Sequence, residues 1–458
     1  MLDLPKQVSL PRATGGQTRD FSLLAACIAA AAFWLLTGGL SPFSYATPPD
    51  SWELKLQFQQ TKAAGNLVNQ VTWTILAVGA LSLLALHKGR TRTLLAGAIP
   101  LWILLLICTF SIAWSPVPDI AFRRVVRLWF LVIVASGTVV SIPSPHHFHR
   151  LLIALTGIIM SINLFSALVT PELARDLSGN FLGVHVHKNN AGIFAMLAVL
   201  VWFSSARFTS HGLVKTFLLL GAALWFLFLI GTNSRTSILT TVFVLSTAFL
   251  YRYACRHSRN ALTLCLSGAI LLLLGTFLMY LYDFTLSDIL DSLAPDTIFG
   301  RMRVWEFALD QFRQRPILGI GYGSFWAAGG ITPAEAHIRG SLTTFLVLLN
   351  QAHNGYVDVL VAIGTLGAIS FVFLFVSILR LVLMTQPNAV YHNWGGVQEL
   401  CYYIFLASLL HNMTETSFLR VTIFWLFFLM SYFLLCRFRR ETVFVAKEHR
   451  QPSYTKLQ

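Results

Sequence analysis

The chain is dominated by long apolar runs separated by short polar breaks. The stretches LLAACIAAAAFWLLTGGL (Leu23 to Leu40) and LTLCLSGAILLLLGTFLMYLY (Leu262 to Tyr282) approach the roughly 20 residues a helix needs to cross a bilayer. In hydrocarbon the backbone must satisfy its own hydrogen bonds, so such runs are helices and not open strands. Apolar length and polar breaks predict about twelve spans. They lie near Phe21–Leu40, Leu67–Leu86, Thr93–Ala113, Ile120–Ser141, Leu151–Thr170 and Asn190–Ser205. The second half continues near Leu213–Thr232, Thr236–Tyr251, Leu262–Tyr282, Tyr356–Val376, Trp394–His411 and Val421–Cys436. The eleventh is the least regular, because it contains Glu399 and ends in a polar stretch. Ser44-Tyr45-Ala46 resembles a small-x-small cleavage site, but the run before it is long for a signal peptide and many spans follow. The expected fold is an all-α integral membrane protein, one polytopic domain over residues 1–458 with no long-period repeat.

Composition sharpens this reading. Of 458 residues 56% are hydrophobic and 11% charged, against roughly 25% charged in a soluble protein. So few charges cannot coat a soluble surface of this size. The six cysteines fall in or beside apolar runs and read as small core residues, with no CxxC or HExxH motif to suggest a metal site.

Charge then orients the chain. With the N-terminus inside, the threading puts 19 of the 33 Lys and Arg and five of the 19 Asp and Glu in inner segments, so the whole formal surplus of +14 lies inside. Residues 1–20 and 437–458 become cytoplasmic tails. Residues 283–352 become one outer loop of about 70 residues, far longer than the usual connection between packed helices.

That loop carries the first candidate chemistry. In GRMRVWEFALDQFRQRP (Gly300 to Pro316), Arg301, Trp305, Ala308, Leu309 and Phe312 share one helical face. The predicted helix has Trp305 at headgroup level and Arg301 and Arg303 at its N-terminal end, where anions are favoured. Arginine forks match phosphate oxygens; the plainer reading is an interfacial helix touching lipid headgroups. ILGIGYGSFW follows, whose glycines permit a tight turn or a close approach of backbone to ligand. No βαβ unit surrounds them, so they are not a dinucleotide fingerprint.

Other outer basic groups are Arg235 in GTNSRTS, His185, His187 and Lys188 in FLGVHVHKNNAG, and Arg123, Arg124 and Arg127 in WSPVPDIAFRRVVR. Ionisable groups at membrane depth face a cavity or partner, or snorkel to the interface. In QAHNGYVDVL (Gln351 to Leu360), His353 is a candidate general base, and Asp358 lies one turn beyond Asn354. A histidine, with a reference pKa of about 6.5, can take a proton near neutral pH. Spacing alone allows catalysis or a helix-capping His-Asn pair equally. Arginines and a histidine at an outer membrane edge suit a lipid-linked pyrophosphate, with its charges on arginine and its tail in the bilayer. ATP is a poor fit, as there is no P-loop, and no nucleic-acid partner is expected.

HKNNAGIFAM (His187 to Met196), TNSRTSIL (Thr232 to Leu239), RMRVWEFALDQFRQRPILGIGYGSF (Arg301 to Phe325) and AHNGYVDVLVAIGTLGA (Ala352 to Ala368) occur in that order. The set resembles the O-antigen ligase and polymerase superfamily of bacterial envelope enzymes, over roughly Trp114 to Gly367. The HKN-x-x-G stretch is most similar to the exopolysaccharide polymerases. The resemblance implies a GT-C-like glycosyltransferase in the bacterial inner membrane, with a periplasmic active site and neither metal nor cofactor. It implies an undecaprenyl-pyrophosphate-linked glycan as donor and a glycan or glycolipid as acceptor, with a chain-length regulator or flippase as possible company. By motif, Arg235 and Arg301 or Arg303 would grip the pyrophosphate, His353 would take the acceptor proton, and Lys188 and Arg124 would assist. Glu306 or Asp310 stands next in line as the base. Polymerisation of lipid-linked repeats is the first reading and ligation to lipid A core or another acceptor the second. A transporter of lipid-linked sugars is the third, weakened by the lack of two related halves.

Overall fold

The computed structural model describes residues 17–37, 66–176, 178–257, 298–326, 351–384 and 395–448. Its regular structure there is helical. Helices α1 (Gln17–Thr37), α2 (Leu67–Leu86), α3 (Lys88–Gly97), α4 (Ile99–Phe110), α5 (Pro118–Ser141) and α6 (Pro145–Val169) are followed by α7 (Lys188–Phe208), α8 (Gly212–Gly231) and α9 (Arg235–His257). Then come α10 (Ile298–Gln314), α11 (Gly355–Met384), α12 (Gly395–His411) and α13 (Ile423–Glu448). The chain is a multi-pass membrane protein. Among the described residues six helices are long and apolar enough to cross a bilayer: α2, α5, α6, α7, α8 and α11. The ninth predicted span, Leu262–Tyr282, lies outside the described residues.

The third predicted span, Thr93–Ala113, is not one straight helix. Helices α3 and α4 meet at Ala98 with a bend of 75°. Pro100 stands in the first turn of α4, where its missing N–H costs nothing but where it cannot continue a preceding helix. The apolar run therefore divides into a basic segment, KGRTRTLLAG, and a membrane segment, IPLWILLLICTF.

Helix α7 and the first half of α13 are buried almost all round, which is why their sequences lack a polar face. Around them the buried polar contacts fall into two groups at opposite ends of the helices. At one end Arg437 on α13 donates to Val139 O at 3.1 Å and Ile142 O at 2.6 Å, so it caps α5. Arg90 donates to Val140 O at 3.2 Å, and Arg207 on α7 pairs with Glu399 on α12 at 3.1 Å. Tyr403 donates to the same carboxylate. Each charge here meets a partner, as groups at this depth require. Arg437, read from sequence as the start of a tail, is buried, and α13 continues to Glu448.

At the other end lies the loop entered by α10. The helix buries Val304, Ala308 and Gln311, with Trp305 and Phe312 of the predicted face half-buried beside them, so the buried stripe is turned part-way from the predicted one. After Pro316 the chain docks on a break in α11. Gly364 has φ 64° and ψ −168°, which frees backbone groups on both sides of it. The glycine loop takes them up: Ile320 N donates to Val361 O and Gly321 N to Ala362 O, both at 2.9 Å, and Thr365 N donates to Pro316 O at 2.8 Å. Broken helices at membrane depth need such substitutes. A Cβ on Gly319 would lie 2.6 Å from Gly364 N, while Gly321 packs on Ser111 and Ser115 and Gly323 on Arg124, so the close approaches of these glycines are to the protein's own chain.

Candidate active site

The site is assembled around a carboxylate in the loop between α12 and α13. Glu415 Oε2 accepts from His353 Nδ1 at 3.1 Å, and Glu415 Oε1 accepts from Asn189 Nδ2 at 3.0 Å. Arg301 Nη2 lies 3.6 Å from Oε1, and Arg301 Nη1 donates to Thr414 O at 2.7 Å. Gln351 Nε2 stands 3.4 Å from Oε2, and its Oε1 accepts from Arg420 at 3.3 Å. That bond turns the amide's donor toward the carboxylate. The Glu415 side chain is 8% exposed and that of His353 23%, so the histidine is the member open to a substrate.

Burial pushes the Glu415 carboxyl up, but the hydrogen bond from His353 and the charges of His353, Arg301 and His411 outweigh it, and the pKa lies below the ordinary value. Facing an ionised Glu415, Nδ1 is the ring nitrogen that donates, and Gln351 Nε2 lies 3.1 Å from the same nitrogen. Nε2 is the ring nitrogen left for an acceptor hydroxyl.

The motifs meet because their backbones are held at close range. Asn354 Oδ1 accepts from Tyr356 N at 3.0 Å and Val357 N at 3.2 Å, capping α11. The adjacent pair thus divides its labour: Asn354 caps and His353 faces Glu415. Gly355 N donates to Asn412 O at 2.8 Å and Glu415 O at 3.1 Å, which docks the carboxylate's loop on the same cap. Thr236 and Thr414 share a hydrogen bond of 2.8 Å, tying the loop to the start of α9. Gly192 of HKNNAG packs on Ser234 of TNSRTS so closely that a Cβ there would overlap the serine. Asp358 Oδ1 accepts from Trp326 Nε1 at 2.6 Å and Ala352 N at 3.1 Å, drawing together the residues on either side of segment 327–350.

Strain marks the same place. Among the described residues the non-glycine positions with positive φ are Asn233 at 53°, His353 at 53° and Leu419 at 55°. One is the candidate base, one lies two residues before Arg235, and one precedes Arg420. Such conformations persist where surrounding structure enforces them, and they cluster at functional sites.

Of the residues singled out from sequence, His353 and Arg301 converge on Glu415. Lys188 is half-buried at the first position of α7, beside Asn189. Arg235 is exposed at the first position of α9 and forms no hydrogen bond or ion pair among the described residues. The Arg303 side chain lies outside the described residues. Arg124 donates to Gly323 O and, at 2.8 Å, to Trp326 O, so it holds the glycine loop against α5. Glu306 and Asp310 are exposed on α10, away from its buried face, and Asp310 pairs with Arg313. His185 is buried between Phe194 and Phe228, and burial lowers its pKa to about 3; it is a neutral core residue.

Sequence reasoning missed Glu415, Asn189, Gln351 and Arg420. The signal for Glu415 was the polar tract NMTETS between two apolar runs.

Residues 217–372 match the family model described as O-antigen ligase. The matched stretch runs from within α8 to within α11 and contains Arg235, Arg301, Arg303 and His353, while Glu415 lies beyond it. No curated protein matches the chain.

Proposed function

We propose that this chain, of the O-antigen ligase/polymerase superfamily, transfers a glycan from undecaprenyl pyrophosphate to the hydroxyl of an acceptor sugar on the periplasmic side of the membrane. The observation that carries the reading is the convergence of His353 and Arg301 on Glu415, inside and beside the segment that matches the O-antigen ligase family. His353 Nε2 takes the acceptor proton while Glu415 holds the ring by Nδ1 and balances the charge that develops. The acceptor oxygen forms its bond to the anomeric carbon as the bond from that carbon to the phosphate oxygen breaks. Attack from the face opposite the leaving group inverts the anomeric centre.

The leaving pyrophosphate carries the developing charge, and Arg301 and Arg235 are its partners. The Arg301 side chain keeps 18% of its surface exposed beside Glu415, so its guanidinium charge faces the site. Arg235, exposed at the N-terminus of α9, combines its own charge with the helix dipole. Lys188 at the start of α7 and the Arg303 side chain are further candidates for the same anion.

Polymerisation is the first reading, with a growing lipid-linked chain passed to a new lipid-linked repeat. The HKN-x-x-G stretch supports it, and Asn189 of that stretch contacts Glu415. Ligation to lipid A core or another acceptor is the second, favoured by the description of the matching family. Purified protein given a lipid-linked repeat alone, and then with a second acceptor, separates them. Longer glycan on the lipid supports the polymerase, and glycan on the second acceptor supports the ligase. Movement of lipid-linked sugar with no new bond would replace both with a transporter.

A further inference from the structure

A cavity lies against the second half of α5, in the elbow between α2, α3, α4 and α5. It has a volume of about 530 Å³ and is walled by apolar side chains, among them Leu81, Leu95, Trp102 and Trp129. Small-molecule sites occupy roughly 300–1,000 Å³. The polar atoms of the wall are turned inward: Trp102 Nε1 donates to Leu95 O at 2.8 Å and Trp129 Nε1 to Thr109 Oγ1 at 2.9 Å. Thr91 Oγ1 donates to Leu84 O at 2.7 Å and Ser136 Oγ to Ile133 O at 3.0 Å. The two indoles stack at 6.2 Å and offer only ring surface.

Two charges remain in the lining, Lys88 and Arg92, one helical turn apart on α3. Both are exposed and form no hydrogen bond or ion pair among the described residues. Arg90, between them, is tied to Val140 O. The 75° bend at Ala98 sets this basic turn across the end of the apolar cavity. Along α5 the cavity runs from Trp129 to Ser136, about 10 Å at the helical rise, toward the helix end.

A long apolar wall with two unpaired cations at its rim fits one chemistry. We infer that this elbow is a binding site for an anionic glycerophospholipid, its headgroup phosphate on Lys88 and Arg92 and an acyl chain against Trp102 and Trp129. Basic pockets between transmembrane helices recognise anionic headgroups by this means. The inference does not depend on the catalytic reading, since none of these residues touches Glu415 or His353.

The test is lipid retention by the full chain, purified and exchanged into mixed phosphatidylglycerol and phosphatidylcholine, with bound lipid counted by native mass spectrometry. The wild type is expected to retain phosphatidylglycerol in preference. Lys88→Gln with Arg92→Gln is expected to lower that preference by about 30-fold. Ala85→Trp, which puts an indole into the cavity and leaves both charges, is expected to lower retention as well. Equal retention of the two lipids by the wild type overturns the proposal, and that comparison needs no variant to fold. So does a double glutamine variant that retains phosphatidylglycerol like the wild type. Wild-type retention by Ala85→Trp removes the seated acyl chain and overturns the proposal too.

Discussion

Glu415 and His353 lie 62 residues apart in the chain and 3.1 Å apart in the fold. The carboxylate is nearly enclosed, and it also binds Arg301 and Asn189. It therefore joins the histidine, an arginine of α10 and the HKN motif in one network. A substitution at any member propagates to the others.

If His353 is the base, His353→Ala lowers turnover by about 10²–10⁴-fold with a smaller change in KM for donor. Glu415→Gln lowers the same parameter by less, because the ring remains but loses its anionic partner. The double variant is no worse than His353→Ala alone, since the two act as a unit. Steady-state kinetics on lipid-linked donor reads all three. Additive losses would place Glu415 in a separate role.

Arg235 and Arg301 separate binding from stability. Both alanine variants are expected to raise KM for donor. Only Arg301→Ala is expected to lower Tm, because Arg301 also bonds Thr414 O and Glu415, whereas Arg235 is exposed and makes no such bond among the described residues. Removing one partner of a buried ion pair costs several kcal/mol, while an exposed charge costs little. Thermal unfolding beside donor kinetics checks the pair, and unchanged KM in both variants removes the pyrophosphate assignment.

The pH dependence follows from the depressed pKa of Glu415. A carboxyl whose folded pKa lies below its unfolded one adds stability at pH above its ordinary value of 4.5, and that stability is lost as pH falls through the folded pKa. The wild type is expected to lose more Tm on acidification below about 4.5 than Glu415→Gln does. Unfolding scans across that range measure the difference, and parallel curves would mean the carboxyl is already protonated in the fold.

The contrast between α10 and α11 explains what was legible in the sequence. Helix α10 was readable because its apolar positions repeat with the helical period and Pro316 stops it. The break in α11 was not, because IGTLGA is as apolar as an unbroken span and hydropathy says nothing of backbone. The 75° elbow left only Gly97 and Pro100 as traces inside an apolar run. Arg301 and His353 could be picked out as chemistry at an outer edge. Glu415 could not, because its meaning lies in who surrounds it, and those partners, Asn189, Arg301 and the Gln351–His353 pair, come from three other segments.

Gly364 supplies a test of that hidden feature. Its φ of 64° is costly for any residue with a Cβ, and an added Cβ would overlap the Ile317 carbonyl. Gly364→Ala is expected to cost about 2 kcal/mol or more and to lower Tm with it. Because the glycine loop docks there and Asp358 ties that loop to Ala352 beside His353, activity should fall as well. A Gly364→Ala protein with wild-type Tm would mean that α11 runs straight.

Sidedness is the premise beneath the catalytic reading, and helix α8 offers its cleanest test. Lys215 and Arg235 are both exposed, near the start of α8 and just past its end. The 20 residues of the helix rise about 30 Å, a bilayer's apolar thickness. The charge pattern of the sequence predicts Lys215 inside and Arg235 outside. In a cysteine-free background, Cys at 235 is expected to react with a membrane-impermeant maleimide added from the periplasm. Cys at 215 should react only after the inner membrane is opened. The reverse pattern would put Arg235 in the cytosol, where no periplasmic transfer could use it, and would end the proposed function while leaving the fold intact.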